Sequence, residues 1–168
     1  MSNKKKKEFM NLYRPVHATF ERFCKARVYG RMDFKDLMQE TIIVAFEKFE
    51  TLQHTTAFKS FLIGISIKLL ANDARKMKEL RWNHDVTIDE KFSTKEESSL
   101  EIEDLYKALN KLPELQKEAI ILFEINGFSI KEIADIQNSG ESAVKQRLAR
   151  GRMSLRELLT DEPKLVNY

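Results

Sequence analysis

The side chains with the most chemical content fall into three rows at helical spacing. One lies near the C-terminus, in SAVKQRLARGRMSLRELL, where Lys145, Arg147, Arg150, Arg152 and Arg156 surround an apolar seam of Val144, Leu148, Gly151, Leu155 and Leu158. Cations on an exposed helix can reach phosphates and guanine edges in a DNA major groove. A second row is Phe61, Gly64, Lys68, Asn72 and Arg75. An aromatic beside cations suits single-stranded nucleic acid, because bases stack while the charges follow the backbone. The third row is Asp36, Glu40, Ile43 and Glu47, spaced i, i+4, i+7, i+11, with Gln39 on its flank. It is acidic with one aliphatic residue in the middle, as a docking patch for a basic partner would be. Each row also has a plainer reading. The arginines can pair with neighbouring carboxylates, Phe61 can belong to a core, and Asp36 can simply favour a helix N-terminus.

The elements that must position these rows are helices. Ser129 precedes Glu132 by three residues, the capping-box spacing, and opens a short helix with Ile130, Ile133, Ala134 and Ile136 on one side. Gln137-Asn138-Ser139-Gly140 breaks it, since Asn and Gly tolerate positive φ. A longer basic helix follows from about Glu141. The layout is a helix-turn-helix with a cationic second helix.

Upstream, an all-α protein is expected: only five Gly and three Pro interrupt long helical patterns. Residues 8–29 carry an apolar side that includes Phe9, Tyr13, Phe20, Phe23 and Cys24, with Pro15 as a kink or a restart and Gly30 as a stop. Asp33 can cap a helix over 34–49, whose core stripe includes Phe34, Leu37, Met38, Ala45 and Phe46. A polar loop, 50–57, leads through Thr56 as a cap into a helix over 57–80. There Phe58, Leu62, Ile65 and Leu69 form one apolar row, and Ile63, Ile67 and Leu70 another. Residues 83–99 lack helical periodicity and have linker composition. They divide the chain into an N-terminal domain over 1–82 and a C-terminal helix-turn-helix domain over 100–160, followed by a tail at 161–168. In the second domain, Ile102, Leu105, Leu109 and Leu112 face inward on one helix. Pro113 starts the next, in which Leu115, Ala119, Ile120, Leu122 and Phe123 pack.

Composition limits the function classes. Net charge is only +3, but residues 1–82 hold 17 Lys and Arg against 9 Asp and Glu, 83–99 hold 2 against 5, and 100–168 hold 10 against 12. A basic front, an acidic middle and a locally basic late helix imply two binding surfaces and a linker. One cysteine and three scattered histidines argue against a disulfide, a zinc cluster or a metal centre. No cofactor is expected. No phosphate-cradling glycine loop or nucleophile–base pair is legible, so an enzyme is not expected. Lys4 to Lys7 are not followed by an apolar signal core, and the longest apolar run, 61–71, is too short to span a bilayer. A cytoplasmic chain that does not insert into membranes is the expectation.

Taken together, MDFKDLMQETIIVAFEKFETL, AFKSFLIGISIKLLANDARK, KLPELQKEAIILFEINGFSIKEIADI and SAVKQRLARGRMSLRELL make the sequence resemble the extracytoplasmic-function (ECF) group of bacterial RNA polymerase sigma factors, over about residues 8–160. The resemblance implies two small helical domains, the second a four-helix helix-turn-helix domain. It also implies a promoter-specificity subunit that binds core RNA polymerase and promoter DNA. Asp36, Leu37, Gln39, Glu40 and Ile43 would then meet the polymerase clamp helices. Gln53, His54, Thr55, Thr56, Lys59, Phe61, Lys68, Asn72 and Arg75 would form the minus-ten surface. Ser142, Lys145, Gln146, Arg147, Arg150 and Arg152 would form the minus-thirty-five surface, near the polymerase flap. An anti-sigma factor is a further implied partner, and the free chain is expected to be a monomer. The sequence departs from the family pattern at four places. Phe61 stands where a tryptophan is usual, Lys68 where an asparagine is common and Asn72 where an aspartate is common. Gln137-Asn138-Ser139-Gly140 replaces the usual leucine-glycine-isoleucine-serine turn. The alternative from the motif alone is a stand-alone helix-turn-helix regulator, which would bind a two-fold site as a symmetric dimer.

Overall fold

A run of four lysines would be a poor start for an isolated helix, yet the first helix, α1 (Ser2–Tyr13), runs straight through them. Lys5 shows how the run is accommodated: its Nζ lies 4.8 Å from the Phe46 ring centroid and 3.6 Å from a Glu50 carboxylate oxygen. The structure, a computed structural model, describes residues 2–84 and 100–160. The linker over 85–99 and the tail over 161–168 lie outside the described residues. The chain divides into two compact units, Met1–Ser93 and Thr94–Tyr168. Every element among the described residues is helical.

In the first unit the chain breaks and restarts around Pro15. Pro15 sits in a 3-10 turn, Arg14–Val16, between α1 and α2 (His17–Val28). Gly30 then turns the chain with a φ of 74°, in the left-handed region that β-carbons disfavour. Asp33 caps α3 (Phe34–Glu47) as its position suggested, its carboxylate accepting from the Lys35 amide at 2.9 Å. The loop after α3 is less open than its polar sequence implies. It holds two 3-10 turns, Phe49–Thr51 and Thr55–Ala57, and the Thr51 hydroxyl donates to the Lys48 carbonyl at 2.6 Å. The long helix α4 (Phe58–His84) begins directly from the second turn and continues past residue 82.

The core of this unit is aromatic. Phe9 meets Phe46, Phe49 and Phe58 edge-on, with ring centroids 5.5, 5.5 and 5.3 Å away. Phe20, Phe23, Leu37, Leu62 and Ile63 complete it, all fully buried. Two polar side chains enter this interior with local partners: the Thr41 hydroxyl donates to the Leu37 carbonyl and the Ser66 hydroxyl to the Ile63 carbonyl, each at 2.7 Å. Cys24 is buried as a small core residue; burial first, then Glu21, pushes its thiol well above the usual range. Burial, with smaller contributions from Cys24 and Glu21, raises the Tyr13 phenol to about 12. The Tyr13 hydroxyl lies 2.8 Å from His17 Nδ1.

The second unit comprises α5 (Leu100–Asn110), α6 (Glu114–Ile120), α7 (Ile130–Ile136) and α8 (Glu141–Thr160). A π turn, Ile121–Ile125, loosens the end of α6. The Asn126 amide donates to the Ile121 carbonyl and the Phe128 amide to the Leu122 carbonyl, with Gly127 at a φ of 72° between them. This brings Phe128 into the core, where it is 2% exposed. α6 and α8 cross closely at Gly151, where a β-carbon would collide with the Ile120 side chain. Two apolar residues expected inside, Ile102 and Leu115, are instead on the surface. Lys117, by contrast, is inside. That side chain is fully buried, and its ammonium donates to Asn110 Oδ1 at 2.7 Å.

Candidate nucleic-acid interface

The loop and the first turns of α4 are fixed from beneath by the aromatic cluster. Phe49 enters the loop and Phe58 leaves it, and both pack on Phe9. The tip between them, Gln53, His54, Thr55 and Thr56, is exposed. Phe61 is half-buried, its ring tilted against Phe58 at 6.3 Å. Lys68, Asn72 and Arg75 follow it along the helix and are exposed, while Leu62, Ile63, Ile65 and Ser66 occupy the core side. Lys59 is half-buried at the base of the row. The loop tip and the row therefore belong to one end and one side of α4. Among the described residues, no side-chain hydrogen bond or ion pair engages Lys68, Asn72 or Arg75.

The helix-turn-helix is capped as its sequence indicates. Ser129 Oγ accepts from the Glu132 amide at 3.1 Å, and the Glu132 carboxylate accepts from the Ser129 amide at 3.3 Å. In the turn Asn138 takes a φ of 53°, the one non-glycine left-handed residue among the described residues. On α8, Val144, Leu148 and Gly151 are buried, and Ser142, Lys145, Gln146 and Arg150 are exposed.

Two of the six upstream-reading candidates are occupied within their own unit. Arg147 is half-buried, and its Nη1 donates to Gln137 Oε1 at 2.8 Å and to Ser139 Oγ at 2.7 Å. Gln137 in turn donates through Nε2 to the Leu115 carbonyl and to Glu118 Oε1, both at 3.1 Å. The unusual turn is thus the hub of a clasp that ties α6, the turn and α8 together. Arg152 pairs with Glu124 at 2.7 Å and lies over the Phe123 ring at 5.2 Å. Sequence reasoning missed Gln137 and Glu118. The one available signal was that a polar residue stands where the family pattern has leucine.

On α3, Asp36, Gln39, Glu40, Ile43 and Glu47 are exposed, and Ile43 is 58% exposed. Leu37 does not belong with them. It is 0% exposed, because one residue along the helix turns it about 100° from Asp36 and onto the core. The structure corrects that assignment. Leu37 lies behind the acidic face, in the core, and is not part of its surface.

Comparison with known proteins covers both units. Residues 102–155 match the protein-family model described as "Sigma-70, region 4". The chain is 33% identical over 143 residues to RNA polymerase sigma factor SigV of Bacillus subtilis (strain 168), covering 85% of this chain and 86% of that protein. It is 31% identical over 126 residues to ECF RNA polymerase sigma factor EcfG of Rhodopseudomonas palustris (strain TIE-1), covering 74% of this chain and 70% of that one. The fold matches the sigma factor RpoE of Bartonella quintana, crystallised with the anti-sigma factor NepR, at a TM-score of 0.79 and 28% identity. That match covers 93% of this chain and 99% of that one. The similarity to SigV extends well beyond the helix-turn-helix, so a stand-alone regulator gives way to the alternative that uses both units. The chain belongs to the extracytoplasmic-function group of RNA polymerase sigma factors, the subunits that bind core polymerase and direct promoter-specific initiation.

Proposed function

We propose that the sigma factor divides its work among three faces on two units. The acidic face of α3, comprising Asp36, Gln39, Glu40 and Ile43, recruits core polymerase. The loop 53–56 with Lys59, Phe61, Lys68, Asn72 and Arg75 holds the unpaired minus-ten strand. The outer face of α8, formed by Ser142, Lys145, Gln146 and Arg150, reads the minus-thirty-five duplex. Arg147 acts there by positioning the helix, and Arg152 by steadying it against Glu124. The chain is a binding subunit, and RNA synthesis belongs to the polymerase in the cytoplasm. An anti-sigma protein is a fitting regulator, by analogy with the Bartonella relative.

The observation that carries this reading is the exposure of Lys68, Asn72 and Arg75 in one row beside an exposed loop tip, with an aromatic cluster fixing both ends of the loop. Among the described residues these three side chains have no hydrogen-bond or ion-pair partner, and their two cations suit a polyanion. The division of labour is tested by Glu40→Lys, an exposed charge reversal. Core-polymerase affinity, measured by titration with labelled protein, is expected to fall at least about tenfold, with the melting curve unchanged. Equal affinity for both proteins would place the polymerase contact elsewhere.

A further inference from the structure

The row on α4 does not stop at Arg75. Phe61, Lys68, Arg75 and Trp82 are each seven residues apart, and a straight helix drifts by only about 20° per seven residues. Because α4 is continuous from Phe58 to His84, all four lie on one side of one rod. Trp82 is 89% exposed, the most exposed large apolar side chain among the described residues. It stands about 10 Å beyond Arg75 along the axis.

An exposed tryptophan on a helix can serve a protein partner or a nucleic acid, and its neighbours decide between them. The other exposed apolar residues at this end, Met77 and Leu80, lie roughly 140° and 160° around the helix from Trp82. The three therefore do not make one apolar patch of the kind a protein groove would cover. What shares the face with Trp82 is charge: Arg75 nearly two turns below, and Lys78 and Glu79 about one turn below, all exposed. From Lys68 to Trp82 the helix carries five cations against two carboxylates. An aromatic at the end of a cationic row is complementary to a polyanion with flat faces, which is a nucleic-acid strand.

We propose that Trp82 lengthens the DNA-binding row of α4 by stacking on a base of the promoter strand the row holds. That base lies about three nucleotides past the one served by Arg75, at the 3.4 Å spacing of a stacked strand. This rests on the reading of α4 as the minus-ten surface. It adds a contact beyond the stretch 57–76 that carries the family resemblance on this helix. It also gives the departure at Phe61 a physical counterpart, since the row's tryptophan sits at its far end.

The test uses the full chain assembled with core polymerase. The probe is a single-stranded oligonucleotide carrying the minus-ten segment and its flanks, from a promoter that wild-type holoenzyme selects out of a randomised pool. Single positions are replaced in turn by abasic residues. Trp82→Ala is expected to lower affinity about 5- to 150-fold, and Trp82→Phe to retain most of it. At one abasic position wild type should lose affinity while Trp82→Ala loses nothing more. Wild-type affinity in Trp82→Ala together with a loss in Asn72→Ala would overturn the Trp82 contact and leave the minus-ten reading standing. Wild-type affinity in both would overturn the minus-ten reading itself. A loss in Trp82→Ala that persists at every abasic position would show a contact that is not a base stack, and would also overturn the proposal.

Discussion

Arg147 looks in the sequence like one more cation on a recognition helix, and its hydrogen bonds give it a different task. It holds Gln137 and Ser139 at 2.8 and 2.7 Å, so its charge is directed at the turn. Hydrogen bonds from a charged donor contribute about 1.5–3 kcal/mol, and truncation also leaves Gln137 Oε1 without this donor. Arg147→Ala is therefore expected to destabilise the protein by about that amount in urea unfolding. Lys145→Ala, at an exposed position, should change stability by less than about 0.5 kcal/mol. Equal stability of the two variants would mean the clasp carries no energy. The Arg152–Glu124 pair is a weaker support, half-exposed on both sides and worth about 0–1 kcal/mol. Residue-level features were legible where their causes are local. The Ser129–Glu132 box and the Asp33 cap each depend on a few consecutive residues, and both stand in the structure. The Gln137 clasp joins residues up to 22 positions apart, and nothing in its immediate neighbourhood announces it. Leu37 was legible as a core residue from its own stripe. Including it in the acidic face followed from the family motif, which names a run of neighbours without regard to which way each one faces.

At the scale of elements, the loop between α3 and α4 is controlled by a helix far from it in sequence. α1 contributes Phe9, whose ring touches both ends of the loop through Phe49 and Phe58. The order of helices, the stop at Gly30 and the polar loop could all be read from periodicity and turn chemistry. The clamp on the loop could not, because an apolar stripe shows which side is inward and not which distant ring it meets. Phe9→Ala removes a nearly fully buried ring and is expected to cost about 3–5 kcal/mol. Its effect should also be local: amide exchange over residues 49–58 should accelerate more than over α2. Uniform acceleration through the unit would show that Phe9 supports the core in general and the loop no more than the rest. The surface positions of Ile102 and Leu115 illustrate the same limit. Both lie in amphipathic patterns, and the buried Lys117 took interior space that no periodicity rule assigns to a lysine.

For the whole molecule, the two proposed DNA surfaces lie on separate helical units. A good bidentate contact to a base gives about 1–3 kcal/mol of discrimination, so on the proposed reading either DNA surface alone is expected to bind weakly. Held on one polymerase, the two proposed surfaces are expected to act at high effective concentration, so that their affinities combine. The family and the all-α architecture were legible because the four motif stretches carry both the helix signals and the functional rows. The far end of α4 was not, since its last turns are polar on most sides and resemble the start of a linker. The central claim is that selectivity arises only when this chain is assembled with the polymerase. It is tested most directly by run-off transcription from a pooled library of random promoters, comparing bare core polymerase with polymerase carrying this chain. The expected result is a narrow set of initiating sequences sharing two spaced elements, present only with the chain and absent from gel shifts with the chain alone. Initiation no more selective than that of the bare polymerase would contradict the account.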